Sequence, residues 1–409
     1  MKKTLKQRLA ILSDAAKYDA SCASSGTTKR DSRQGGFGST EGSGICHAYA
    51  PDGRCISLLK ILMTNFCVYD CAYCINRSSS NVERARFSAE EVCWLTVEFY
   101  RRNYIEGLFL SSGIIRSSDY TMEEMVRIAR DLRLKHGFHG YIHLKAIPEA
   151  SAHLVEEAGL YADRLSLNIE LPTDAGVAAF APQKHPAGIR QAMGTLRGHI
   201  DAAAEPTLRS KTTRIFAPAG QSTQMIVGAD AASDATILDT SAGLYDGYRL
   251  KRVYYSAFSP IPDASHILPL IQPPLVREHR LYQADWLYRF YGFAMAEITA
   301  ARPDGMLDLK LDPKLAWALD HRGRFPVDIN RAEREMLLRV PGFGVRTVDA
   351  LLAARRFRRL GLDDLQRLKV SLRKVRPFIV ASGWAPVRLT DRADLRAMFT
   401  PPPQQLELL

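Results

Sequence analysis

From residue 55 onward the chain alternates short apolar runs with longer segments in which apolar residues recur every three or four positions. The runs at 55–65, 107–113, 141–145, 164–170, 213–216 with 224–228, and 252–256 predict strands, and the segments at 87–104, 121–136, 150–158, 189–200 and 232–245 predict helices. Ser88 is the expected N-cap of the first helix, with Glu90 and Glu91 in its first turn. Strand and helix in regular alternation mean a parallel sheet, and about six such units predict an α/β fold with a partial (βα)6, TIM-like barrel. In the run 164–170, Ser166, Asn168 and Glu170 alternate with apolar residues, which gives that strand a polar edge.

Outside this repeat, Leu5, Leu9, Leu12 and Ala16 share one face of a predicted helix over 3–19, and a Gly/Ser-rich loop follows to about Gly44. A Pro-rich and aromatic stretch at 258–274 breaks the rhythm before a helix over 277–295. In that helix the spacing of Trp286, Phe290 and Phe293 predicts core, and its Arg residues are left open. The expected domains are 1–54, the barrel with its covering helix at 55–300, a basic module at 314–385, and a disordered tail at 391–409.

Of the 409 residues, 46% are hydrophobic, which suits a globular protein, and no apolar run is long enough for a membrane helix. The basic start, Met1-Lys2-Lys3, lacks a signal-peptide core, so a cytoplasmic protein with no membrane partner is expected. The seven cysteines are odd in number and three crowd one loop, which argues against a disulfide framework and for a reducing compartment. The net charge of +11 suggests a polyanionic partner, and its distribution sharpens this: residues 314–385 hold 16 Lys/Arg against 7 Asp/Glu, a balance of 16 − 7 = +9.

The loop after the first predicted barrel strand reads Cys67-Val68-Tyr69-Asp70-Cys71-Ala72-Tyr73-Cys74. Three thiols at this spacing, at the carboxyl end of a strand, make a metal cage at the edge that carries chemistry in α/β barrels. A structural zinc site needs four ligands and no fourth Cys or His follows closely, whereas a four-iron cluster on three cysteines keeps one iron open. Zinc or a structural thiol site stays as the alternative. Cys22, Cys46 and Cys55 precede the motif and are either small buried thiols or ligands of a second site; Cys93, within a helix, reads as core.

In the basic module, Asp328-Ile329-Asn330 opens a helix, and Val340-Pro341-Gly342-Phe343-Gly344-Val345-Arg346 turns the chain into another. This is an expected helix-hairpin-helix in an all-α module. Gly342 and Gly344 permit the tight turn, the N–H groups beyond it face a phosphate, and Arg346, Arg355 and Arg356 add charge.

The Cys67, Cys71, Cys74 spacing, with Tyr73 before the last thiol, resembles the signature of the radical S-adenosylmethionine superfamily. The whole chain is similar to the family described as putative DNA modification or repair radical S-adenosylmethionine proteins. The resemblance implies a [4Fe-4S] cluster on those cysteines, S-adenosyl-L-methionine at the open iron, a low-potential electron donor, and a 5′-deoxyadenosyl radical that removes a substrate hydrogen. It also implies cofactor contacts from Ser111, Ser112 and Gly113, which stand where the family commonly has Gly-Gly-Glu, and from Ser166, Asn168 and Glu170. A nucleic acid, most directly duplex DNA held at Gly342, Gly344 and Arg346, is the implied substrate. The alternatives are an RNA- or tRNA-modifying enzyme with a second cluster, and a non-enzymatic redox-sensing DNA binder.

Overall fold

The computed structural model describes residues 3–16, 45–49, 55–204, 215–261, 267–300, 302–386 and 391–400. In chain order the first elements are helix α1 (Leu5–Ala16), strands β1 (Ile45–Tyr49) and β2 (Cys55–Leu62), then α2 (Ala89–Arg101), β3 (Gly107–Ser111), α3 (Ser118–Leu134), β4 (Tyr141–Lys145), α4 (Ala152–Tyr161) and β5 (Arg164–Ser166). They continue as α5 (Asp174–Phe180), α6 (Pro186–Ala204), β6 (Gln221–Val227), α7 (Asp234–Tyr248) and β7 (Arg252–Ala257). Ser88 caps α2 through a capping box with Glu91, as its sequence predicts.

The seven strands lie in the order of the sequence, and β2 to β7 are all parallel. With right-handed crossovers, a sheet that always grows on the same side keeps its helices on one face and curls about the other. Tyr254 on β7 accordingly shares a buried cluster with Cys46, Ile56, Leu58 and Phe109 from the first three strands. The result is a partial barrel. Strand β1 is not legible in the sequence; it runs antiparallel on the edge of β2, pairing Cys46 with Leu58 and Tyr49 with Cys55.

Register divides the sheet into two chemically different faces. Leu59, Leu108 and Ile142 pair in register, Leu144 follows Ile142 on the same face, and all four are fully or almost fully buried, each contributing about 1.5–3 kcal/mol of burial. The same face of β6 carries Gln221, which donates to the Met193 carbonyl in α6. The opposite, concave face carries Lys60, Phe109, His143, Arg164, Ser166, Ser222 and Gln224, all buried. A helix-covered sheet buries polar residues on its free face only where something polar is enclosed there.

The chain divides into two compact units, residues 1–232 with 243–273, and residues 233–242 with 274–409. This differs from the expected barrel domain of 55–300. The helix α8 (Leu275–Tyr291) and the short α9 (Met295–Thr299) belong to the second unit. Within it follow α10 (Pro313–Asp320), β8 (Val327–Asp328), α11 (Arg334–Arg339), α12 (Val345–Ala354), α13 (Leu362–Arg367), α14 (Leu372–Val375), β9 (Ile379–Val380) and α15 (Leu395–Phe399). The expected all-α module is therefore interrupted by a parallel pair, β8 with β9. Its core packs aromatic rings edge to face, Phe293 against Trp317 at 5.3 Å and Phe325 against Phe378 at 5.2 Å.

Two further expectations are corrected. Trp286 and Phe290 are exposed, and only Phe293 of the predicted stripe is buried. The inward face of α8 instead holds Leu281, Ala284 and Arg277, whose guanidinium binds the buried Asp234 carboxylate at 2.7 Å. Residues 391–400 of the expected disordered tail are ordered: Phe399 stacks on Phe378, and Arg396 pairs with Asp308.

Lys314 on α10 is buried, and its ammonium donates to the Phe343 carbonyl at 2.6 Å. Burial pushes its pKa down to about 7, against the opposing pull of Asp312. The unfolded chain then binds the extra proton between about pH 7 and 10, so stability rises with pH across that window, with a limiting slope of about 1.4 kcal/mol per pH unit. Urea unfolding of the full chain at pH 6 and pH 9 is expected to show this gain, and Lys314→Met is expected to reduce it.

Candidate active site

The loop Cys67–Cys74 leaves the carboxyl end of β2 and is tied down along its length. Val68 N–H donates to the Ile114 carbonyl beyond β3 at 2.7 Å, and Ala72 N–H donates to Phe180 at the end of α5 at 2.7 Å. Asp70 accepts from the Ser79 amide and hydroxyl and from Ser78, and these bonds, led by the Ser79 amide, hold its carboxyl below the usual range. Arg84 closes the base of the loop: its guanidinium donates to the carbonyls of Asn76 (2.8 Å), Arg77 (2.6 Å) and Ser80 (2.8 Å), and also to that of Asn65. One planar fork of five donors thus fixes four carbonyls that turn inward.

One of the three sulfurs already has a donor. Ile114 N–H lies 3.4 Å from Cys67 Sγ, while the buried Tyr73 hydroxyl has no hydrogen-bond partner. Burial first, then the neighbouring thiols, push Cys74 up to about 12; burial also pushes Cys71 up to about 11, Lys184 opposing it. Both stay protonated at neutral pH until a metal displaces the proton. Among the described residues, no three His, Cys, Asp or Glu side chains converge on a point that one metal ion could fill. A closed zinc cage is thus not preformed. In a four-iron cluster each thiolate takes a different iron, so three ligands stand apart, and the Ile114 N–H on the Cys67 sulfur suits such a cluster.

The other thiols lie elsewhere. Cys93 is buried in α2 with its sulfur 3.7 Å from the Ile128 carbonyl, as core. Cys22 lies outside the described residues. Cys46 pairs with Leu58, three positions from the exposed Cys55, so the two fall on opposite faces of the strand pair. The structure does not bring Cys46 and Cys55 together.

The polar positions of the sequence gather at the same sheet edge, but most are held by partners. Ser166 ends β5 with its hydroxyl 3.1 Å from His143 Nε2, and Asn168 donates to Gln224 at 3.3 Å. Glu170 is buried at φ +66°, a left-handed backbone that costs a non-glycine residue about 1 kcal/mol or more, and its carboxylate binds Lys184 at 2.5 Å. Ser111 ends β3 and is buried; the Ser112 hydroxyl donates to the Gly113 carbonyl at 2.6 Å. Gly113 donates to Thr64 at 2.7 Å, and a Cβ there would sit 2.3 Å from the Phe66 carbonyl oxygen, so its glycine serves the approach of the cage loop.

Sequence reasoning missed Lys184 and Glu149. Burial opposes the Lys184 charge, but Glu170, Cys71 and Glu149 outweigh it and push its pKa well up. Burial raises the Glu149 carboxyl, and neither of its buried oxygens has a hydrogen-bond partner on another residue. The Ser222 hydroxyl, opposite Ser166 on the concave face, is likewise buried and without one. An unanswered carboxylate and an unanswered hydroxyl are places for a polar ligand. Lys184, between two prolines after α5, carries no local signal that would have found it.

In the second unit, the turn between α11 and α12 holds Gly342 at φ +89°, where a Cβ would lie 2.9 Å from Val375. Gly344 has an ordinary backbone, and a Cβ there would meet only the Tyr291 hydroxyl at 3.7 Å and the Thr347 hydroxyl at 4.0 Å, so the fold does not require its glycine. Burial raises the pKa of the Tyr291 hydroxyl, and the nearby Val345 amide opposes the shift. Arg346 is exposed, and exposed Lys374 has its Cβ 3.4 Å from the position a Gly342 Cβ would take. Arg355, in contrast, binds the carbonyls of Ile329 and Ala332 and serves the fold.

No family model and no curated protein matches the chain. Among the solved structures that match are HydG, a maturase of the [FeFe]-hydrogenase, at 15% identity and TM-score 0.40, covering 55% of this chain and 48% of that one. The FeFe-hydrogenase maturase HydG from Carboxydothermus hydrogenoformans matches at 13% and 0.41, covering 54% and 48%. Methylornithine synthase (PylB) matches at 15% and 0.40, covering 54% and 60%. This chain thus spans about half to three-fifths of the length of these neighbours.

Arg84→Ala strips four loop carbonyls of a charged donor, at about 1.5–3 kcal/mol for each bond to a charged group. Hydrogen exchange of the Cys74, Ser78 and Ser80 amides is expected to rise at least about tenfold with α2 and α3 unchanged; wild-type rates would show that the loop holds itself.

Proposed function

We propose that the chain is a radical S-adenosylmethionine enzyme that acts on a nucleic acid, with duplex DNA the favoured polymer. The observation that carries this is the thiol loop itself: Cys67, Cys71 and Cys74 on a fixed loop at the carboxyl edge of the partial barrel, one sulfur with an N–H on it, and no three His, Cys, Asp or Glu side chains among the described residues set to close on a single ion. Cys67, Cys71 and Cys74 would hold a [4Fe-4S] cluster. When bound, the cluster and S-adenosylmethionine supply an electron and a carbon radical able to take a hydrogen atom from an unactivated position.

The remaining work belongs to the chain. Ser111, Ser112, Gly113, Ser166, Asn168 and Glu170 line the edge where the cofactor would lie, and the bonds of Ser166 to His143, Asn168 to Gln224 and Glu170 to Lys184 keep that edge rigid. The family's usual Glu is absent after β3. The Glu149 carboxylate, buried and unpartnered, is a chemically equivalent acceptor for an ammonium group. The concave polar face under the edge positions the substrate and keeps bulk water from it.

Support for a nucleic acid comes from the basic residues 314–385 and from the hairpin, where Gly344 is free of structural duty and Arg346 and Lys374 flank the turn. Contacts of this kind bind backbone phosphates without reading bases. The RNA reading draws on a second cluster, and the separation of Cys46 from Cys55 removes most of that support.

The test is anaerobic turnover. Reduced chain carrying about four irons is expected to form 5′-deoxyadenosine from S-adenosylmethionine, and Ser at Cys67, Cys71 or Cys74 is expected to abolish it; an intact cluster that yields no product would overturn the enzyme reading. For the hairpin, Gly344→Ala is expected to leave thermal stability unchanged and to weaken duplex binding about tenfold, with Arg346→Gln lowering the salt slope by about one.

A further inference from the structure

Between α12 and α13 the chain reads Arg355-Arg356-Phe357-Arg358-Arg359. Phe357 is 88% exposed, more than any other aromatic side chain among the described residues. Its surroundings are not an ordinary solvated turn. The segment borders a cleft of about 400 Å³ that also takes in Asn330 and Arg331.

The four arginines divide by role. Arg355 holds the carbonyls of Ile329 and Ala332, and Arg358 grips the Asp364 carboxylate through two bonds of 3.0 and 2.5 Å. These two fix the turn from both sides. Arg356 and Arg359 are exposed and form no hydrogen bond or ion pair with any described residue. A turn anchored by two arginines therefore presents a bare ring flanked by two unanswered guanidinium groups.

We propose that this turn is a second nucleic-acid contact, in which Phe357 stacks on an unpaired base while Arg356 and Arg359 hold the flanking phosphates; it rests on the nucleic-acid reading of the hairpin. Aromatic faces accept any base, and a cationic border keeps the strand on them. The hairpin and this turn lie at opposite ends of α12, whose 10 residues span about 15 Å. That length corresponds to roughly four base-pair steps. Duplex held at the hairpin would then present a flaw in its stacking to Phe357. The preferred substrate is nucleic acid with a bulged, mismatched or frayed nucleotide.

The experiment compares the full chain with Phe357→Ala, Phe357→Trp and Arg356→Gln/Arg359→Gln on a perfect duplex and on the same duplex with one bulged 2-aminopurine. Wild type is expected to favour the bulge and to quench the 2-aminopurine. Phe357→Ala is expected to lose bulge affinity about fivefold to 150-fold, to leave duplex affinity unchanged, and to be rescued by Trp. The double Arg variant is expected to weaken both and to lower the salt slope by about two. Phe357→Ala that matches wild type on the bulge overturns this proposal while duplex binding leaves the hairpin reading standing. Wild type that binds neither nucleic acid, or binds polyglutamate equally well, overturns both.

Discussion

The two-faced sheet is the constraint on which the rest of the barrel unit depends. Because β2 to β7 add in sequence order, the helices cover the Leu59, Leu108, Ile142, Leu144 face and the opposite face must curl upon itself. That enclosed face carries Lys60, His143, Ser166 and Gln224, which only an internal polar network or a polar ligand can satisfy. The thiol loop sits at the edge of this face, and Arg84 converts what would be a mobile excursion into a fixed cradle.

Much of this is legible in the sequence because its signals are local. An apolar run followed by three thiols, a Ser88 cap with Glu91, and a strand–helix rhythm each depend on residues close in sequence. Strand β1 is not, since Ile45-Cys46-His47-Ala48-Tyr49 has no clear alternation and is a strand only because β2 offers an edge. Lys184 and Glu149 reach the site by tertiary folding alone. Glu170 reads as a ligand contact from its place on the strand, but its charge is answered by Lys184.

The second unit shows the opposite balance. Its hairpin motif is readable, yet the duties of its charges are not. The α8 stripe misleads because buried Arg277 and Asp234 satisfy each other and turn a polar residue inward, leaving Trp286 and Phe290 outside. Likewise Arg355, expected to meet a phosphate, is committed to two carbonyls, while Arg359, which no motif singles out, is unengaged among the described residues. Hydrophobic periodicity sees which residues prefer water; it does not see which charges find partners.

As proposed, three thiols would leave one iron of a four-iron cluster open to a ligand. Electron paramagnetic resonance of the anaerobically reduced chain, recorded before and after adding S-adenosylmethionine, tests it directly. A four-iron signal whose g-values shift on addition is expected. A cluster signal that S-adenosylmethionine leaves untouched, or reconstitution that yields only zinc, would contradict it.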